Sequence, residues 1–123
     1  MVDKTIKEGE KLIEVLDNTQ FDVRAAMWFY STENDEWRFI VASPFVDLNG
    51  PKKTYEFIQK ELKNLPEDFG IPLKSIIVLS PQNELIRLIR IAIRTNKGIS
   101  GIRFTKNVIN SVFVEDVYIY RIL

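Results

Sequence analysis

The alternation of strand and helix is clearest in residues 75–95, which read SIIVLSPQNELIRLIRIAIRT. The first six residues form a short apolar run that is typical of a buried strand. From Pro81 to Thr95 the aliphatic residues recur at helical spacing, and Gly98 follows as a possible left-handed stop. The segment therefore predicts a strand followed by the third helix of the chain.

The residues before this segment predict a helix, an antiparallel hairpin and a second helix. Two short aromatic-rich runs flank a polar turn, Thr32-Glu-Asn-Asp35, and both runs are apolar on both faces. The hairpin is therefore expected inside the sheet. Residues 43–51 hold two prolines and an Asn-Gly pair, which is loop chemistry. The predicted elements are a helix over residues 3–17, strands over 22–31 and 36–43, and a helix from Pro51 to Leu62.

The residues after this segment are strand-like. Apolar runs at 102–105, 108–114 and 117–123 are separated by possible turns at Lys106-Asn107, Asn110-Ser111 and Glu115-Asp116. The order α-β-β-α-β-α-β-β predicts an α/β (mixed α+β) fold, with a single mixed sheet of about five strands and three helices. No stretch resembles a linker, so we expect residues 1–123 to form a single globular domain.

Composition restricts the chemistry of this chain. Its 123 residues include no histidine and no cysteine, which excludes disulfides, zinc-type sites and Ser-His or Cys-His catalysis. One metal-like pattern, Asp22 with Glu36-Trp-Arg38, fails because the predicted hairpin places Asp22 at the end far from Glu36. We therefore expect no catalytic residues, no metal and no cofactor, and we favour a non-catalytic role.

The compartment is indicated by apolar patterning. The N-terminal residues are too charged for the apolar core of a signal peptide. The most apolar stretch, Leu85 to Ile93, is far shorter than the roughly 20 residues that span a bilayer. The absence of cysteine agrees with a reducing compartment. These features predict a cytoplasmic protein without membrane contact.

Two of the predicted strands end in the same way. Ser43-Pro44 follows the second strand and Ser80-Pro81 follows the third. If these strands are parallel, both turns lie at one edge of the sheet, where helix N-termini offer free N–H groups to anions. One interpretation is a small anion or nucleotide pocket formed by Ser43, Ser80, Gln82 and Asn83. The other is simple helix capping, because serine before proline is a common helix start.

The balanced total charge hides an asymmetry along the chain. Residues 1–68 hold 9 basic and 14 acidic side chains, whereas residues 69–123 hold 8 basic and 3 acidic ones. No acid occurs between Leu85 and Val114. The cations of this region are Arg87, Arg90, Arg94, Lys97, Arg103 and Lys106. The first four are spaced by 3, 4 and 3 residues, which predicts one narrow stripe on the third helix.

Neighbouring like charges destabilise a helix, so the stripe requires a compensating partner. Acids of the same chain, such as Asp17, Glu56 or Glu61, are one candidate. A second candidate is an acidic face of another protein or of a second copy. The third is the phosphate of a nucleic acid, which the sequence supports weakly because the cations lack interleaved aromatics for stacking.

Three helices are few for covering both faces of such a sheet, so some apolar surface is expected to remain. We predict it along the C-terminal strands, at Val112, Val114, Tyr118 and Tyr120. This surface and the stripe favour a non-catalytic interaction module that binds a protein partner or itself as a homo-oligomer. The alternatives are an anion- or nucleotide-binding domain using the Ser-Pro turns, and nucleic-acid binding through the stripe.

Overall fold

A computed structural model describes residues 1–123 and shows three helices and one mixed five-stranded sheet in the predicted order. The sheet order is β3-β2-β1-β5-β4; β2 and β3 are parallel, and the other three pairs are antiparallel. No helix is both long and apolar enough to cross a bilayer. The elements are α1 (Asp3–Asp17), β1 (Ala25–Ser31), β2 (Glu36–Ala42), α2 (Pro44–Leu62), β3 (Ile76–Leu79), α3 (Glu84–Ala92), β4 (Ile102–Ile109) and β5 (Val112–Ile122).

The two faces of the sheet are covered unequally. Alternate residues of a strand point to opposite faces, so Trp28 and Ala26 join one apolar cluster while Met27 and Ala25 join another. The first cluster contains buried residues of both α1 and α2, whereas α3 alone among the helices covers the second. The nine residues of α3 are too few to span that face, so apolar side chains remain at its margins.

The β1–β2 hairpin lies at the centre of the sheet, as its two apolar faces predict. Trp28 pairs with Phe39 and Tyr30 with Trp37 across the strands, and both ring pairs meet edge to face. Such pairs contribute about 0.5–1.5 kcal/mol beyond the area that they bury. The crossover from β2 through α2 to β3 then produces the one parallel pair.

The prediction of a loop over residues 43–51 is wrong, because the chain is helical from Pro44 onward. Ser43 is the N-cap, and its hydroxyl accepts a hydrogen bond from the N–H of Phe45 at 3.0 Å. Gly50 has a φ of 81°, and there the helix axis kinks before Pro51 starts the second part. The proline signals therefore mark two helix starts, and glycine supplies the left-handed residue between them.

The predicted extent of the third helix is also wrong, and Gly98 is not its stop. The helix begins at Glu84 and ends at Ala92, and Ile93 is already extended at φ −141°. Residues beyond it pair with β5 instead: the N–H of Thr95 donates to the carbonyl of Ile122 at 2.7 Å, and the N–H of Ser100 donates to that of Tyr120 at 2.7 Å. These tertiary hydrogen bonds override local helix propensity.

Of the three possible C-terminal turns, only Asn110-Ser111 forms one. Both residues have positive φ, 50° and 71°, which suits the tight hairpin that joins β4 to β5. Lys106-Asn107 and Glu115-Asp116 lie within the strands instead. Lys106 itself has a φ of 46°, an irregularity in the outer strand of the sheet.

The C-terminal strand is attached to α1 by two partly buried contacts. The hydroxyl of Tyr120 donates to the carbonyl of Ile6 at 2.7 Å, and it approaches α1 at Gly9, where no side chain intervenes. Arg121 forms a bidentate pair with Asp17, both hydrogen bonds measuring 2.9 Å, and also donates to the carbonyls of Val23 and Gly98. These contacts position the last strand between β1 and β4.

Candidate functional site

The two Ser-Pro turns do meet at one edge of the sheet. Because β2 and β3 are parallel, Ser43 and Ser80 follow neighbouring strand ends, and the N–H of Ser43 donates to the carbonyl of Leu79 at 3.1 Å. The Ser43 side chain is fully buried. It caps α2 and also donates to the carbonyl of Phe21. Its hydroxyl is therefore committed to contacts within the chain.

The other residues of the predicted anion pocket lie at the start of α3. The hydroxyl of Ser80 accepts from the N–H of Gln82 at 3.0 Å, and the amide oxygen of Asn83 accepts from the N–H of Leu85 at 2.9 Å. Asn83 is the N-cap of α3. Each side-chain oxygen named here thus satisfies a backbone donor of its own turn, which is capping geometry.

Three cations of the predicted stripe come together at the exposed side of α3. Arg87, Arg90 and Arg94 line one shallow cavity of about 210 Å³ with Ile91, and we call these three residues the arginine cluster. Arg94 lies beyond the end of the helix, at Ala92, but stays on the same side. The predicted stripe is therefore present in a shorter form.

Arg90 is the anchored member of the arginine cluster. Its Nε donates to the backbone oxygen of Leu123 at 2.7 Å, and one terminal nitrogen donates to the carbonyl of Pro81 at 3.1 Å. Burial lowers the pKa of Arg90, and the positive charges of Arg94 and Arg87 lower it further. Because arginine stays protonated in proteins, this unfavourable environment leaves a fixed positive charge.

No aspartate or glutamate side chain forms a salt bridge with the arginine cluster. The four salt bridges of the molecule involve none of its members. Asp17 pairs with Arg121 instead. Glu56 and Glu61 belong to α2, which packs on the opposite face of the sheet from α3. These three acids therefore do not compensate the positive charge of the arginine cluster.

An apolar groove adjoins the arginine cluster between α3 and the tip of the β4–β5 hairpin. Its volume is about 460 Å³. Ile91 is 67 % exposed and Val112 is 48 % exposed, which is unusual for such large aliphatic side chains in one place. Arg87 and Ile91 border both the groove and the arginine cavity, so the two surfaces are continuous. The groove is lined by Glu84, Leu85, Arg87, Leu88, Ile91, Asn110 and Val112.

The remaining three predicted cations lie apart from the arginine cluster. Arg103 holds Asp116 in a bidentate pair at 3.1 and 2.7 Å and lies over the ring of Trp37. The hydrogen bond with Asp116 raises the pKa of Arg103. Lys97 lines a different cavity, which also includes Asp17. Lys106 is exposed in β4. The helical stripe expected to include Lys97 therefore ends at Arg94.

Of the four residues predicted to leave apolar surface on the C-terminal strands, Val112 alone is exposed, at the hairpin tip. Val114 and Tyr120 are buried in the two clusters, and Tyr118 is partly buried. Phe113 is 56 % exposed and pairs with the exposed Val108 across the hairpin. The Asn110-Ser111 turn sets the register of this strand pair. A sequence prediction that selected this turn would therefore also have predicted the pairing of Phe113 with Val108.

Ile91 is the groove residue that the sequence interpretation missed. It follows Arg87 by four residues, which at 3.6 residues per turn places both side chains on the same line of α3. The spacing was therefore a sufficient signal for placing Ile91 within the stripe. Because aliphatic residues fill most of this helix, their pattern by itself favours a buried position for Ile91.

Comparison with known proteins gives no further guide to the role of this surface: no protein family, no curated protein and no solved structure matches the chain. Within the molecule, no three aspartate or glutamate side chains cluster in a way that would hold a metal ion. The continuous surface of the arginine cluster and the apolar groove is the candidate functional site.

Proposed function

We propose that this protein is a non-catalytic interaction domain that binds a protein partner through the exposed side of α3. One observation carries the proposal: a cluster of three arginines without an aspartate or glutamate partner borders an exposed apolar groove. Arginine is enriched at protein interfaces, and the fully buried centre of an interface is more apolar than the rest of the protein surface. A partner that supplies carboxylates and apolar side chains would compensate the charge and cover Ile91.

Binding of a nucleic acid is less well supported by the same surface. A phosphate backbone would pair with the arginines but would leave Ile91 and Val112 in water. The exposed aromatic of the hairpin, Phe113, does not line the groove, so no stacking platform adjoins the arginine cluster. The cytoplasmic location expected from the sequence remains part of the proposal.

Self-association, the other expectation from the sequence, has little support at the edge of the sheet that β4 forms. The outer strand β4 has a left-handed residue, Lys106, near its middle. An irregularity and a lysine on an edge strand both disfavour pairing with another strand. If copies of this chain associate, we expect a side-chain interface and not a continued sheet.

The experiment is photo-crosslinking in the cells that make the protein. A benzophenone amino acid replaces Ile91 in one variant and the exposed Glu14 of α1 in a matched control. We expect a discrete adduct of defined mass from position 91 and none of that mass from position 14. Equal patterns from both positions, or no adduct from position 91, would contradict the proposal.

A further inference from the structure

The polarity of the candidate site restricts what can occupy it, and this inference rests on the proposed function. Glu84, in the first turn of α3, is the only acid that lines the groove, and Arg94 lies beyond the other end of the helix. At about 1.5 Å per residue, the nine residues of α3 separate these ends by roughly 12 Å. The groove itself contains one arginine, Arg87, about one turn from Glu84, and the rest of the arginine cluster lies beyond the Ile91 end of its apolar lining.

We propose that the groove binds an acidic segment of another protein, in which a bulky apolar side chain is flanked on one side by carboxylates. The apolar side chain packs between Leu88, Ile91 and Val112. The carboxylates meet the arginine cluster, where the planar guanidinium groups accept bidentate pairing. The opposite flank of the segment is neutral or basic, because it faces Glu84.

Arg90 makes this site partly organised in advance. Its guanidinium is held by the backbone oxygens of Leu123 and Pro81, so little side-chain freedom is lost when a carboxylate arrives. Arg87 and Arg94 are exposed on either side and form no salt bridge within the chain. A carboxylate at this site would also relieve the repulsion among the three cations.

A second copy of the chain fits this site less well. An interface with two-fold symmetry centred on α3 would oppose one arginine cluster to the other. The acid-rich helix α1 exposes no large apolar side chain that could fill the groove. Two exposed apolar residues stand beside a carboxylate, Leu48 next to Asp47 and Val2 next to Asp3. A contact through either would be head-to-tail, which gives a ring or a filament and not a two-fold dimer. These features favour a different protein.

The test is selection from a displayed library of random 12-residue peptides against the full chain, followed by titration of one synthesised winner. We expect winners that combine Leu, Ile or Phe with Asp or Glu on one consistent side. Affinity is expected to fall about tenfold or more in Arg87→Glu/Arg94→Glu and to fall clearly in Ile91→Ser. The control Lys97→Glu, an exposed charge reversal outside the cluster, should change the affinity by less than about twofold.

Several results would overturn this assignment. Winners without acids, or equal weakening by Lys97→Glu, would show that the arginine cluster does not recognise carboxylates. Strong binding of a duplex DNA probe that survives Ile91→Ser would favour phosphate. Oligomers of the wild-type chain that Leu48→Ser or Val2→Ser abolishes would identify a second copy as the occupant. If the position-91 adduct still forms when any of these results is obtained, the proposed function as an interaction domain is retained. Only the proposal of an acidic segment as the ligand is then wrong.

Discussion

The close approach of Tyr120 to α1 makes Gly9→Ala a sensitive test of the fold. A Cβ placed on Gly9 would lie 2.7 Å from Cζ of Tyr120, and closer still to the hydroxyl oxygen. Tyr120 is fully buried and its hydroxyl is hydrogen bonded to Ile6, so the ring has no free space into which to retreat. The helix would have to lift from the sheet.

Two effects of opposite sign act on this variant. Replacing glycine by alanine inside a helix stabilises by about 1 kcal/mol, whereas overpacking a core costs about 1–3 kcal/mol. Lifting α1 would also loosen Leu12, Ile13 and Leu16, which are fully buried. We therefore expect the clash to dominate, with a net loss of about 1–2 kcal/mol in the free energy of unfolding.

Urea unfolding followed by tryptophan fluorescence measures this loss, because Trp28 is buried in the same cluster as Tyr120. Because the free energy of unfolding falls by roughly 1–3 kcal/mol per molar urea, the urea concentration at the midpoint should fall by about 1 M. As a control, Tyr120→Phe should make the Gly9→Ala substitution less costly, since the nearest clashing atom is then removed. An unchanged or higher midpoint for Gly9→Ala alone would refute the packing of α1 on β5.

Two further predictions concern the same strand. Asp17→Ala and Arg121→Met should each lower the free energy of unfolding, and the double variant should lose less than the sum of the two losses. We expect a coupling energy of about 1–2 kcal/mol, because Asp17 is partly hydrated. Additive losses in urea melts would argue against the ion pair. Burial raises the pKa of the Tyr120 phenol. At alkaline pH the phenol therefore stays protonated in the folded state after it has lost its proton in the unfolded chain. Stability should therefore hold below about pH 10 and decline above it, with a weaker decline in Tyr120→Phe; equal alkaline profiles of the two proteins would contradict this.

Much of the architecture was predictable because its elements have strong local signals. Helix α1 has an unambiguous apolar periodicity, and the bounds predicted for it agree with the structure. The central position of the hairpin was predictable, because strands that are apolar on both faces are disfavoured at a solvent-exposed edge of a sheet. The order of elements and the mixed sheet follow from these signals and from the crossover through α2.

The boundaries that were wrong depend on contacts distant in sequence. Residues 93–95 continue the helical pattern, but pairing of Thr95 with Ile122 draws them into an extended conformation. The loop chemistry of residues 43–51 was ambiguous, because prolines and glycines that break a helix also occur at helix starts and kinks. Local sequence could not distinguish these cases.

The candidate site was predictable in its charge but not in its shape. The spacing of Arg87, Arg90 and Arg94 was enough to place them together, since even the early end of α3 leaves them on one side. The adjoining groove depends on where the β4–β5 hairpin tip lies relative to α3. That position follows from strand register, which the sequence left open.

The absence of internal partners for Arg87 and Arg94 is tested most directly by one double variant, Arg87→Glu/Arg94→Glu, with the benzophenone residue at position 91. The free energy of unfolding and the yield of the position-91 adduct are measured on the same protein. We predict that the free energy stays within about 0.5 kcal/mol of the parent or rises, because like charges around Arg90 are removed, while the adduct disappears. A loss of more than about 2 kcal/mol, which would reveal internal partners of these arginines, or an undiminished adduct would contradict the account.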